Sequence, residues 1–408
     1  MIPLTKVKIK ELGKVYTGST PSTKDETMWG DEYLFVKPSD MIAGSRRVFN
    51  TEKKLTSIAS KTSKGRLLPA GTTCIVCIGT IGKLCQLHKP AATNQQLNSI
   101  VVDKLKYDPD YIYYLMSQSI PYVKVVEGGS ASGREHVKKS TFEEIELDIL
   151  PFDEQKKVGK LIVNYDNLIE NNNRRIAILE NMSQILYRKW FVKFSFPGFE
   201  NCQLKDSQLG QIPEGWEVKP VEECYKTSSG GTPSRKKPEY YGDEHWWTKT
   251  KELKDGFITS VDEKISELGL AKSSAKLFPK DTVLLAMYGA TIGRLGILTH
   301  ESATNQACCA LLPLNEMYSP WFIYLTLLAK RPDLLALGQG AAQQNISQQV
   351  IKGFKILSPE RNTLKIFNET VEPMFREIEL LLKSSNNLKQ QRDMLLPKLT
   401  SGKINLKD

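Results

Sequence analysis

The sequence predicts an α+β protein. Two similar modules of mixed α/β type are separated by two long helices that pair as an antiparallel coiled coil, with an approximate two-fold relation between the halves. Three observations carry this. A set of short motifs occurs twice, in the same order, at a near-constant offset of about 210 residues. Each copy is followed by an uninterrupted stretch of helical periodicity. Within each copy, short β-type runs alternate with Gly, Pro, Thr and Asn punctuation.

The repeat is specific. Gly18-Ser19-Thr20-Pro21-Ser22 returns as Gly230-Gly231-Thr232-Pro233-Ser234. Trp29-Gly30-Asp31-Glu32 returns as Tyr241-Gly242-Asp243-Glu244, and Lys37 as Lys249. Gly79-Thr80-Ile81-Gly82-Lys83 is answered by Gly289-Ala290-Thr291-Ile292-Gly293-Arg294, and Ala92-Thr93-Asn94-Gln95 by Ala303-Thr304-Asn305-Gln306. The plan is module, rod, module, rod, with segments at 1–151, 152–200, 201–358 and 359–408. In the first module Leu34–Val36, Cys74–Ile78 and Ser99–Val102 read as strands and Tyr111–Gln118 as a helix.

The first rod carries a three-four stripe at Val158, Leu161, Tyr165, Leu168, Asn172, Arg175, Leu179, Met182 and Leu186. The second carries Leu364, Phe367, Val371, Met374, Ile378, Leu381, Ser385, Leu388, Arg392 and Leu395, with Pro373 expected to kink the helix or mark its start. Near forty residues at about 1.5 Å each give rods of about 60 Å. Neither stripe is stable alone in water, so the simplest arrangement buries each against the other: antiparallel pairing sets the modules at opposite ends of a ruler, whereas parallel pairing would put both at one end and lose that spacing.

Composition sets bounds. A chain of 408 residues with 40% hydrophobic and 25% charged residues is globular and holds two or three domains. The net charge of +10 favours a polyanionic partner. No run approaches the roughly 18 apolar residues of a membrane span, and Met1–Lys10 lacks a signal-peptide core, so no membrane partner and a cytoplasmic location are expected. The seven cysteines do not match between halves, which argues against a disulfide framework. Cys74 and Cys77 have metal-like spacing. On a strand, however, they face opposite ways, and no second pair completes a tetrahedral site.

No dinucleotide fingerprint, phosphate loop, nucleophile elbow or base-holding methyltransferase motif is present, so catalysis by this chain alone is not expected. The repeated residues suit binding. A glycine turn ending in Lys83 or Arg294 can present N–H groups, with Thr80 or Thr291, and a cation to a phosphate; the alternative is a plain β-turn with a solvated charge. Asn94, Gln95, Asn305 and Gln306 can pair with adenine, or can serve as capping amides. Their recurrence favours scaffold or phosphate roles, because residues that read different bases should differ. The differences lie in Lys37–Asp40 against Lys249–Glu252, and in Gly128–His136 against Gly338–Asn345. Arg134 in the first loop favours guanine; Gln343, Gln344 and Asn345 in the second favour adenine. Trp246 and Trp247 read as core residues before base-stacking ones.

In combination these motifs, with Leu186-Tyr187-Arg188-Lys189-Trp190-Phe191, Leu209–Trp216 and Arg392–Ile404, resemble the specificity subunits of type I restriction-modification enzymes along nearly the whole chain. The resemblance implies two target-recognition domains, each reading half of a split, asymmetric site in double-stranded DNA, with Thr20 and Thr232 among the DNA-binding positions. It implies that the helices set the spacer and dock two methyltransferase subunits, through Trp190, Phe191, Leu395 and Leu396, and through these the motor-nuclease subunits. The chain itself would hold no cofactor; S-adenosylmethionine and ATP with magnesium would belong to the partners. The alternative is a repeat-containing protein-binding scaffold without DNA specificity.

Overall fold

The computed structural model describes residues 2–42, 44–125, 136–338 and 345–406, apart from the side chains of Tyr122, Lys124, Val125 and Asn201. Contacts divide the chain into two compact units, 1–171 with 385–408, and 172–384. Each long helix contributes to both units, Phe152–Phe191 and Arg361–Thr400 each running for 40 residues.

In the first unit, the main sheet orders its strands as Gly13–Thr17, Leu97–Val102, Thr73–Val76 and Leu84–Gln86, all neighbours antiparallel. Every residue of Thr73–Val76 is buried, which explains its continuous apolar texture. A smaller sheet holds Trp29–Gly30, Lys54–Leu55, Tyr33–Val36 and Ala92–Thr93, the last two parallel. Thr5–Lys8 pairs antiparallel with Glu146–Ile149 and so brings the two ends of the module together. Helix Pro109–Val125 lays Tyr111, Ile112 and Tyr114 against Val158 and Ile162 of the first long helix and Leu396 and Leu399 of the second.

The second unit repeats this wiring. Its main sheet runs Tyr225–Ser229, Cys308–Pro313, Val283–Ala286 and Leu295–Leu298, with one more strand, Gly256–Ile258, added in parallel at the edge. Glu217–Pro220 pairs with Lys355–Ser358 as Thr5–Lys8 does with Glu146–Ile149. The Leu209–Trp216 motif supplies the second strand of a hairpin, Gly210–Pro213 against Leu204–Ser207, and sends Trp216 into the core. That core is aromatic. Trp321 stacks on Phe375 at 4.6 Å, and Phe191 meets Phe367 edge-on at 4.7 Å.

In the second unit the long helices meet in opposite directions: Asn172 bonds Ser384, Arg175 pairs with Glu377, and Tyr187 packs near Phe367. In the first, Asp166 pairs with Arg392. The stripe expected on the first helix is displaced. Of the expected positions Val158 and Asn172 are buried but Leu168, Arg175 and Met182 are exposed, whereas Ile162, Asp166, Ile169, Ile176, Ser183 and Tyr187, outside that stripe, are buried. Two of these further positions are polar. Asp166 is satisfied by Arg392 and by the Tyr114 hydroxyl at 2.5 Å, and Ser183 by the Glu180 carbonyl; Asn172 bonds Ser384. A stripe chosen by apolarity rotates away from Asp166 and Ser183. On the second helix Leu364, Phe367, Val371, Ile378, Leu381 and Ser385 are buried.

Pro373 neither starts nor ends the second helix, which begins at Arg361 and continues past it. Its side chain is exposed, so the carbonyl it leaves unbonded can turn to water. The expected partner-docking residues also need correction. Trp190, Phe191 and Leu396 are buried in this chain's own cores, and Leu395 is half-buried against the first. Cys74 and Cys77 point into different clusters on opposite faces of their strand.

Matched helical positions are filled differently in the two units. Asp166, Arg392 and Tyr114 form a buried polar cluster beside a cavity of about 410 Å³. Burial, reinforced by Asp166, pushes the Tyr114 phenol up. In the second unit Phe375 and Ser183 stand at the places of Asp166 and Arg392, and buried Leu325 at that of Tyr114, since Ser319 accepts from Phe322 N–H as Asp108 does from Tyr111 N–H. Breaking the buried pair with Arg392→Leu strands the Asp166 carboxylate and is expected to cost about 3 kcal/mol. The double change Asp166→Phe with Arg392→Ser should cost less. Urea unfolding measures both, and a single variant as stable as the parent contradicts the assignment. Phe191→Ala should destabilise the isolated chain by about 3 kcal/mol, as a core truncation does; an unchanged melting temperature would return Phe191 to a docking role.

Candidate nucleic-acid interface

Each module assembles one face from motifs that are far apart in sequence. In the first, the Thr20 hydroxyl donates to Gln95, and Ser19 N–H donates to the Thr93 carbonyl. In the second, Thr232 donates to Gln306, and Gly231 N–H to the Thr304 carbonyl. The Gly-x-Thr-Pro-Ser loop is thus clamped onto the Thr-Asn-Gln turn twice by the same bonds. The leading glycines are required by close approach. A Cβ at Gly18 would overlap the Thr93 and Asn94 carbonyl oxygens, and at Gly230 the Thr304 carbonyl.

Asn94 is buried. Its amide donates to the Gln96 side chain at 2.8 Å and its oxygen accepts from Gln96 N–H at 3.1 Å, so it closes a turn. Asn305 is half-buried beside Thr248, whose carbonyl takes its N–H. Gln95 and Gln306 are exposed and hold the threonines.

The glycine turns are hairpins. Gly79 and Gly82 have φ of 85° and 95°, Gly289 and Gly293 84° and 76°. The second glycine of each has its backbone donor engaged: Gly82 N–H bonds the Val76 carbonyl and Gly293 N–H the Ala286 carbonyl. The terminal cations are also engaged. Lys83 Nζ donates to the Pro38 carbonyl at 3.2 Å, which ties this turn to the 37–40 loop. Arg294 pairs with Asp255, which also holds Arg331. Thr80 is exposed and Thr291 half-buried.

Lys37 and Lys249 open matched one-turn loops. The Lys37 N–H donates to Asp40 at 2.8 Å and the Lys249 N–H to Glu252 at 2.6 Å. Their ammonium groups pair with Glu52 and Glu263. Arg235 and Lys249 together hold the Glu263 carboxyl well below its usual range, at about 2.

The divergent loops enter this face at their stems. His136 bridges Ile78, and exposed Asn345 bridges Tyr288, each beside its glycine turn. Arg134, Gln343 and Gln344 lie outside the described residues. Trp247 is buried, with its indole N–H on the Gly231 carbonyl at 3.0 Å; Trp246 packs against His300.

Sequence reading passed over Asp255, the acid that holds Arg294 and Arg331, since nothing in its local sequence marks it; its φ of 62° belongs to the turn it makes. It also passed over two matched pairs of cations, Lys24 with Lys236 and Arg66 with Lys276, which are exposed and have no acidic partner among the described residues.

Among the described residues no helix is long and apolar enough to cross a membrane. Comparison with known proteins agrees with this architecture. A family model described as the type I restriction modification DNA specificity domain matches residues 1–181 and 213–390. The chain is 29% identical to the type I restriction enzyme MjaIX specificity subunit of Methanocaldococcus jannaschii, over 98% of this chain and 93% of that one. It is 24% identical to the HindI specificity subunit of Haemophilus influenzae, over 72% of this chain and 77% of its relative. The crystal structure of a type I restriction-modification S subunit from M. genitalium shares the fold, with a TM-score of 0.68, 15% identity, and coverage of 100% of this chain and 97% of that one. With two matched domains that account for both modules and most of both long helices, the chain belongs to the family of type I restriction-modification DNA specificity subunits.

Proposed function

We propose that each module, within 1–151 and 201–358, reads one half of a bipartite, asymmetric site in double-stranded DNA. The observation that carries this is the twice-built face: the same threonine–glutamine clamp and glycine hairpin, flanked by loops that differ. A shared scaffold with divergent edges suits a protein that meets one kind of polymer twice and reads a different word each time.

In this reading the spacer segments 152–200 and 359–408 run as one antiparallel coiled coil, with an approximate two-fold relation, and set the gap between the half-sites. The opposed contacts inside the second unit support it. Two half-sites about one helical turn apart, near 34 Å, would then lie on one DNA face. Two methyltransferase subunits dock on the helices and extrude their target bases, and motor-nuclease subunits join through them. With Trp190 and Phe191 buried, the exposed Ile178, Met182, Ile185, Leu380 and Met394 are the better candidates for such docking. The chain is non-catalytic by itself and acts in the cytoplasm. S-adenosylmethionine and ATP with magnesium belong to the partners.

Selection from a randomised duplex pool by the chain with its methyltransferase partner, at stated salt, should recover a split word with a fixed gap. Sequence-blind binding would leave a basic protein-binding scaffold instead. Shortening the first long helix between Asn171 and Arg175 should change the permitted gap and leave both half-words intact, and selection on the same pool reads this. A changed half-word would refute the spacer role.

A further inference from the structure

If the modules meet the same polymer twice, the groups that hold its uniform backbone should recur, be exposed and be free of internal partners. The cations first suspected fail the last test. Lys83 is bonded to carbonyls, and Lys37, Lys249 and Arg294 are paired with carboxylates. Two other matched pairs recur, are exposed and have no carboxylate or carbonyl partner among the described residues. Lys24 and Lys236 follow the Pro-Ser of each Gly-x-Thr-Pro-Ser loop, and Arg66 and Lys276 precede Leu67-Leu68-Pro69 and Leu277-Phe278-Pro279. All four are exposed, and none has an acidic partner among the described residues.

Their placement is matched as well. The Asp25 N–H returns to the Ser22 carbonyl at 3.4 Å, and the Lys237 N–H to the Ser234 carbonyl at 3.1 Å. Each turn therefore carries its lysine at the third position. The segments bearing Arg66 and Lys276 leave short helices capped by Thr56 and Ser266 in the same way. Both then lie against the Gly-x-Thr-Pro-Ser loop. Ser19 Oγ donates to the Lys64 carbonyl at 3.0 Å, while a Cβ at Gly231 would overlap Ser274, the residue matching Lys64. The Arg66 guanidinium sits 5.0 Å over the Tyr16 ring, which steadies it without neutralising it. Near Lys37 and Lys249 the opposite holds, because acids accompany the cations.

We infer that Lys24 and Arg66 in the first module, and Lys236 and Lys276 in the second, grip DNA backbone phosphates beside the Gly-x-Thr-Pro-Ser loop. The inference rests on the DNA-recognition reading above. It assigns these residues affinity and register, and leaves base discrimination to the divergent loops.

The test measures affinity against salt for the chain with its methyltransferase partner, on a duplex carrying the selected word and on a random duplex. Each of Arg66→Ala and Lys276→Ala should lower the slope of log affinity on log salt by about 0.9. The loss between about 50 and 200 mM salt then shrinks about 3.5-fold for each cation removed. Both duplexes should be affected alike, and Lys24→Ala with Lys236→Ala should lower the slope by about twice as much as one cation. Arg66→Lys, which keeps the charge, should keep the slope, so a general folding defect is told apart. Unchanged slopes overturn the assignment. So does a loss confined to one base pair, or an unchanged slope with weakened assembly onto the methyltransferase, which would make these cations protein contacts. Wild-type binding without a preferred word defeats the split-site reading separately, and the slopes then still decide the cations. A wild type that does not bind DNA overturns both.

Discussion

The first module's core is closed by the end of the chain. Leu396 and Leu399 pack with Tyr111, Val158 and Ile162, and the Gly402 carbonyl accepts from Ile2. A helix pair of this kind has no stable alternative in water, because each half-apolar stripe needs the other to bury it. The sheet strands of the first module can pair early, but their helical layer waits on residues nearly 300 positions later, as the Tyr111 hydroxyl near the Thr400 carbonyl, at |i−j| of 289, makes plain. Such long-range closure makes the module depend on the second long helix.

On that foundation the two modules use the same devices to hold the same surface. The threonine–glutamine clamp, the crowded glycine and the positive-φ hairpin recur because they solve backbone problems that do not depend on what is bound. The charges around them sort by use. Lys83 and Arg294, at the ends of the hairpins, tie loops together, whereas the four cations beside the Gly-x-Thr-Pro-Ser loops have no acidic partner among the described residues. Recurrence alone does not separate these classes; partners do.

Polar groups in the helical layers show that equivalent places admit unlike solutions. Asp166 with Arg392 and Tyr114 fills a position that Phe375, Ser183 and Leu325 fill in the other unit. A buried ion pair holds well only when both charges are present and further bonded, and here the tyrosine hydroxyl supplies the further bond. The aromatic version needs no such bookkeeping. The pair of solutions makes the two helix segments chemically distinct although their backbones are wired alike.

The sequence by itself determined the tandem plan, the strand at Thr73–Val76, the helical stretches and the turn motifs, because periodicity and glycine or proline punctuation are local properties. It also carried the family resemblance. The tertiary structure decided which face of the first long helix is buried, since Asp166 is inside only by virtue of Arg392, a partner that local sequence does not reveal. It decided that Pro373 is tolerated, because that position faces solvent. It moved Trp190 and Phe191 from the surface to the core. It also decided which cations remain available to a ligand, because a charge is available only if no distant carboxylate or carbonyl has been folded onto it.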